Sequence, residues 1–185
     1  YAIAANGTPT AITHYYNTSG TSTVLAPVPD QPLIVFINGM YYAYNVVAGS
    51  VLYSQNGMTW QQALISGGAG SSITNVIQVS GSVFALQTGA DIYLGSGPFT
   101  FASTPATTVA STDFNMASNG NGKLYIFDET SNLNKLACYT PTSSSLGAAV
   151  ANTSNNAVVP KSLLFANNNL YAVVLSNNDA NTLFT

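Results

Sequence analysis

The chain has 185 residues, of which 46% are hydrophobic and 5% charged, with a formal net charge of −3. It has no arginine, three lysines (Lys123, Lys135, Lys161), one cysteine and one histidine. Nucleic acid is excluded as a partner, because several cations are needed to neutralise phosphates, and so are an internal disulfide and a structural zinc site with its four ligands.

The composition is too apolar for a disordered chain. Asn, Ser, Thr and Gly stand where charges usually do, so solubility must rest on amides and hydroxyls, or on burial in an assembly. No apolar run approaches the roughly 18 residues that cross a membrane, and no insertion is expected. No leader is recognisable, and the first residue is Tyr1, so the segment is expected to be processed or part of a longer chain.

In chain order, residues 1–29 come first. "AITHYYNTSGTSTVLAP" (Ala11 to Pro27) reads as a hairpin ending a preceding unit, followed by the linker "PVPDQP" around Asp30. A repeat then occupies 30–185, in units of approximately 30–72, 73–112, 113–158 and an incomplete 159–185. "FINGMYYAY", "QVSGSVFAL", "GNGKLYIF" and "FANNNLYAVV" share one pattern, a tight turn and then an apolar run with an aromatic at its third place. The turn residues are Gly39, Gly81, Gly122 and Asn168, spaced by 42, 41 and 46 residues, and the aromatics are Tyr42, Phe84, Tyr125 and Tyr171. Asn and Gly accept positive φ cheaply, which suits two-residue hairpins. The flanks are rich in residues that fit a pleated surface. A third strand follows in each unit, at "SVLYS", "DIYLG", "KLACY" and "NTLFT". Radial repetition of such sheets at this period predicts an all-β chain folded as a β-propeller, with about four blades of three to four antiparallel strands.

After the third strand, "SQNGMTW" (Ser54 to Trp60) makes a second kind of turn, echoed by "GSGPFTF" (Gly95 to Phe101). Ser54, Gly57, Thr59 and Trp60, with Asn56 at the acidic place, resemble the Asp-box or sialidase-type (BNR) propeller repeat. The second unit keeps Gly97, Thr100 and the aromatic Phe101, and the later units lack the box. The resemblance implies that these residues are scaffold, with the Trp60 ring packed inward. Sialidases of that family hold the substrate carboxylate with arginines, and this chain has none, so the resemblance implies no sialidase site.

Other chemistry is sparse. A glycosidase needs two placed carboxyl groups, and the acids are Asp30, Asp91, Asp113, Asp128, Glu129 and Asp179. Asp128, Glu129 and Asp179 fall in equivalent loops of two units and are candidate ligand-binding residues, beside the exposed members of the pairs Tyr15-Tyr16 and Tyr41-Tyr42. A Ser-His-Asp triad would have to use His14, and no Gly-x-Ser-x-Gly elbow presents a serine. Cys138 reads as a buried, inert thiol. No cofactor and no metal are expected. The expected role is non-enzymatic, a structural or attachment propeller on a virion appendage (tail fibre or spike) or secreted surface protein. Its expected partners are other protein subunits, further copies of itself or a cell-surface glycan. The alternative is a secreted carbohydrate-binding or carbohydrate-cleaving propeller with its catalytic groups outside this segment.

Overall fold

The computed structural model describes the backbone at 2–3, 9–10, 15–18, 21–24, 33–67, 73–109, 116–128, 135–154, 160–175 and 181–184. Side chains are described within 33–45, 48–67, 73–109, 116–127, 136–150 and 162–172. All regular structure among these residues is β, and the chain divides into two compact units, Tyr1–Leu64 and Ile65–Thr185.

In the first unit, β1 (Ala2–Ile3) pairs with β2 (Pro9–Thr10), and β3 (Tyr15–Thr18) with β4 (Thr21–Val24), as the sequence predicts for that hairpin. Sheet I follows, with β5 (Leu33–Ile37), β6 (Met40–Val47), β7 (Ser50–Ser54) and β8 (Gln61–Leu64) in sequence order. Asn38 and Gly39 join β5 to β6 at φ 51° and 77°, the doubly positive turn that matches strand twist. Alternation along the strands gives sheet I two faces. Ile34, Phe36, Tyr41, Ala43 and Leu52 share one by register, and Val35, Tyr42, Tyr44, Val51 and Tyr53 share the other.

The second unit holds three sheets. Sheet II comprises β9 (Ile73–Ser80), β10 (Val83–Thr88), β11 (Asp91–Gly97), β12 (Thr100–Phe101) and β13 (Thr107–Thr108), the last two sharing β11. Sheet III runs β14 (Met116–Ser118), β15 (Leu124–Asp128), β16 (Lys135–Tyr139), β17 (Ala149–Ser154). Sheet IV has β18 (Pro160–Ala166), β19 (Asn169–Leu175) and β20 (Asn181–Phe184). All pairings within sheets are antiparallel, and the four third strands stand where the repeat puts them.

Each of these sheets is apolar where the next one meets it. Val83, Ala85, Ile92 and Leu94 of sheet II form one buried cluster with Met116, Leu124 and Ile126 of sheet III. The other face of sheet III packs Ala117 and Phe127 on Leu163 of sheet IV, and the Tyr125 ring stacks on Phe165 at 5.6 Å. Polar ties support the first junction. The Gly122 N–H donates to the Val79 carbonyl at 2.7 Å, and the Asn75 amide donates to the Met116 carbonyl at 3.5 Å. Gly95 is fixed by close approach, because a Cβ there would strike the Thr100 carbonyl.

The expected β-propeller of about four blades is not what forms. Among the described residues the four larger sheets are separate and open. The 42-residue period encodes how many strands each sheet has. Closure is a match between the first sheet of a chain and the last, and periodicity does not contain it.

Two outcomes follow from the packing. Leu94 is 1% exposed, so Leu94→Ala is expected to cost about 2–5 kcal/mol in urea or thermal unfolding. Tyr44 is fully buried, and burial first, then neighbouring Tyr42, raises its phenol well above the ordinary 10.0. The unfolded chain loses that proton near pH 10 while the folded chain keeps it. Its stabilising contribution is therefore full below pH 10 and is lost as the pH rises above that. Melting temperatures should fall on that alkaline limb, and Tyr44→Phe should flatten it.

Candidate functional site

The turn between β7 and β8 is built by two small side chains. Ser54 is buried at the end of β7, and its Oγ accepts from the backbone N–H of Gly57 at 2.9 Å and of Asn56 at 3.3 Å. The Asn56 Oδ1 accepts from the N–H groups of Met58 and Thr59, both at 2.9 Å, and from the Ser54 hydroxyl at 3.1 Å. Gly57 turns the chain at φ 70°, and its carbonyl accepts the Trp60 indole N–H at 3.1 Å. An uncharged amide thus collects the orphan N–H groups of the turn. The Trp60 ring is half-buried and clamps the turn, where the resemblance implied a ring packed inward. At the second site, Thr100 is exposed and Phe101 is buried, with the Phe101 N–H bonded to the Ser66 carbonyl at 2.9 Å. These turns are architecture, and no reactive side chain lies within them.

The candidate ligand-binding residues are not brought together. Tyr15 and Tyr16 lie on β3, in register with Val24 and Thr23, and their side chains are outside the described residues. Asp128 ends β15 opposite Lys135 in register, its side chain likewise undescribed. Glu129 and Asp179 lie outside the described residues, as do Asp30, Asp113 and His14. Asp91 is the acid whose setting is clear: its carboxylate accepts the Thr108 hydroxyl at 2.6 Å, tying β11 to β13. Among the described residues, no three His, Cys, Asp or Glu side chains cluster as a metal site would need. The thiol of Cys138 is buried beside Tyr125, whose phenol is raised first by burial and then by that thiol.

Of the predicted turn residues, Gly39 and Asn168 sit in two-residue hairpins with positive φ, Asn168 at 64° beside Asn167 at 48°. Gly81 stands in the β9–β10 turn without positive φ. Gly122, at φ 88°, closes a longer turn in which the Asn119 Oδ1 accepts from the Asn121 and Lys123 N–H groups.

Tyr41, the candidate ligand-binding residue whose side chain is described, belongs to a surface with a distinct character. Its ring lies 4.7 Å from Phe36 across the β5–β6 pair, tilted by 49°. Phe36 is 62% exposed, Ile34 54% and Tyr41 37% on the same face of sheet I, and Leu64 on β8 is 76% exposed. Phe36, Ile34 and Leu64 were not singled out by reading the sequence. The signal was present in "LIVFI", a strand without polar alternation and, among the described residues, with a single strand neighbour.

No protein-family model matches this chain, and no curated protein matches it. The Asp-box family resemblance is withdrawn on that ground: the local turn is real, and it does not carry membership. With neither a ring nor a family match, the expected attachment propeller of a virion or surface appendage is withdrawn too, together with its carbohydrate-active alternative.

Asn56→Ala should cost about 1–2 kcal/mol, since two backbone N–H groups lose their acceptor, whereas Asn56→Asp should keep stability to within about 0.5 kcal/mol. Urea unfolding of the two variants checks this. Equal losses would show that the Asn56 Nδ2 group, which both variants lack, and not the acceptor oxygen holds the turn.

Proposed function

We propose that this chain is a non-enzymatic β-repeat module that acts by protein–protein contact through the Phe36 face of sheet I. The exposed Phe36–Tyr41 ring pair flanked by Ile34 carries the reading. Single exposed apolar residues are ordinary, but contiguous ones mark interaction surfaces. Full burial of a Phe or Ile side chain stabilises by about 1.5–3 kcal/mol, so covering the exposed parts of these two supplies a few kcal/mol. Aromatic anchors of this kind dominate interface energetics. The named residues of the face carry no charge, which suits an apolar partner surface and a contact insensitive to salt. The absence of arginine, the single histidine and the engagement of Asp91 with Thr108 support a role without catalysis.

The test compares tagged wild type with Phe36→Asp, each recovered from the native source with its bound proteins. Wild type should retain a stoichiometric protein partner at both about 0.1 and about 1 M salt. Phe36→Asp should lose it while melting within about 0.5 kcal/mol of wild type, as an exposed substitution does. Recovery of the same proteins by the variant, or of none by wild type, would overturn the reading.

A further inference from the structure

Sheets III and IV show how one sheet of this chain covers another, and the repeat lets that contact be transferred. Phe165 and Leu163 stand three and five residues before the turn residue Asn168, and Phe36 and Ile34 stand at the same distances before Gly39. The register agrees, since Phe165 faces Leu170 across its hairpin as Phe36 faces Tyr41. In sheet IV this face is covered, with Leu163 7% exposed and Phe165 under the Tyr125 ring, whose plane lies within 13° of its own. In sheet I the equivalent residues are open. What covers Phe165 is the opposite face of sheet III, carrying Tyr125, Phe127 and Ala117. The counterpart of that covering face in sheet IV bears Tyr171, three residues after Asn168 as Tyr125 is three after Gly122, with Leu164 opposite it in register. Leu164 is 59% exposed.

From this equivalence we infer that the partner is a second copy of this chain. Its Leu164–Tyr171 face seats on the Phe36 face of the first, with Tyr171 stacked on Phe36 as Tyr125 is on Phe165. The inference rests on the reading that the Phe36 face is a protein contact. It adds that the contact joins unlike faces, so it is heterologous. A low charge density leaves little repulsion between copies.

Sedimentation velocity of the purified chain, from about 1 to about 100 μM, should show concentration-dependent association. Phe36→Asp spoils one face and Leu164→Asp the other, so each alone should be monomeric throughout that range. An equimolar mixture should form a dimer, because the first variant keeps a sound Leu164 face and the second a sound Phe36 face. Ile34→Asp replaces Phe36→Asp if the latter does not fold. A wild type that stays monomeric, a Leu164→Asp variant that still self-associates, or a mixture that does not pair would overturn the inference. A monomeric wild type that still holds a different protein through Phe36 in the recovery experiment would sink the second-copy inference alone. Failure of both experiments would sink the contact reading as well.

Discussion

Neighbouring side chains of a strand point to opposite faces, and in β15 both faces are apolar. Leu124 and Ile126 go to one side and Tyr125 and Phe127 to the other, so sheet III must be covered twice. That requirement orders the second unit. Sheet II supplies a complementary face of small and branched residues, Val83, Ala85, Ile92 and Leu94, which lets the backbones come close enough for Gly122 to bond Val79. Sheet IV supplies Leu163 and Phe165, and an aromatic stack of Tyr125 on Phe165 joins the two sheets. A polar residue at Ile126 or Phe127 would disturb one junction and leave the other its own contacts.

A chain with 5% charged residues must satisfy its turns differently from most soluble domains. It does so with short amides and hydroxyls. Asn56 and Asn119 each gather two backbone N–H groups on one oxygen, and the Thr142 hydroxyl accepts from the Ser144 and Ser145 N–H groups in the loop after β16. Gln62 reaches the buried Ser50 hydroxyl, and the buried Gln87 amide finds the Gly89 carbonyl. Among the described residues no buried side-chain polar atom is left without a partner. Local acceptors of this kind fix a turn without long-range electrostatics, which suits a fold made of short connections.

The strands were legible in the sequence because their signals are local. Asn38-Gly39 and Asn167-Asn168 announce hairpins through their tolerance of positive φ, and the third strands followed from the spacing. That the sheets stay open was not legible, because closure depends on the fit between sheets far apart in the chain. The family resemblance implied an inward Trp60, but its indole N–H reaches a carbonyl three residues back, which keeps the ring at the turn. Phe36 was passed over because an apolar strand reads as core until the covering layer is known. Its position relative to Gly39 was available from the start. The meaning of that position lies in Phe165, which at the matching place stacks under Tyr125.

The alternative use of β5 is by its edge, since among the described residues it has one strand neighbour and an unbroken apolar run. Edge pairing and face packing make different demands. A five-residue strand offers a few ladder hydrogen bonds, each contributing about 0.5–1.5 kcal/mol net once water is exchanged. Covering the face removes two aromatic rings and a branched side chain from water, with about 1.5–3 kcal/mol available for each fully buried side chain. With these side chains 37–62% exposed, the two are similar in magnitude, and the face is the one that selects its partner by shape. An edge accepts any extended strand, whereas the Phe36 face asks for a ring at one place on a pleated surface. The chain already makes that shape once, where sheet III meets sheet IV, and this ties the open face to a contact of the chain's own design.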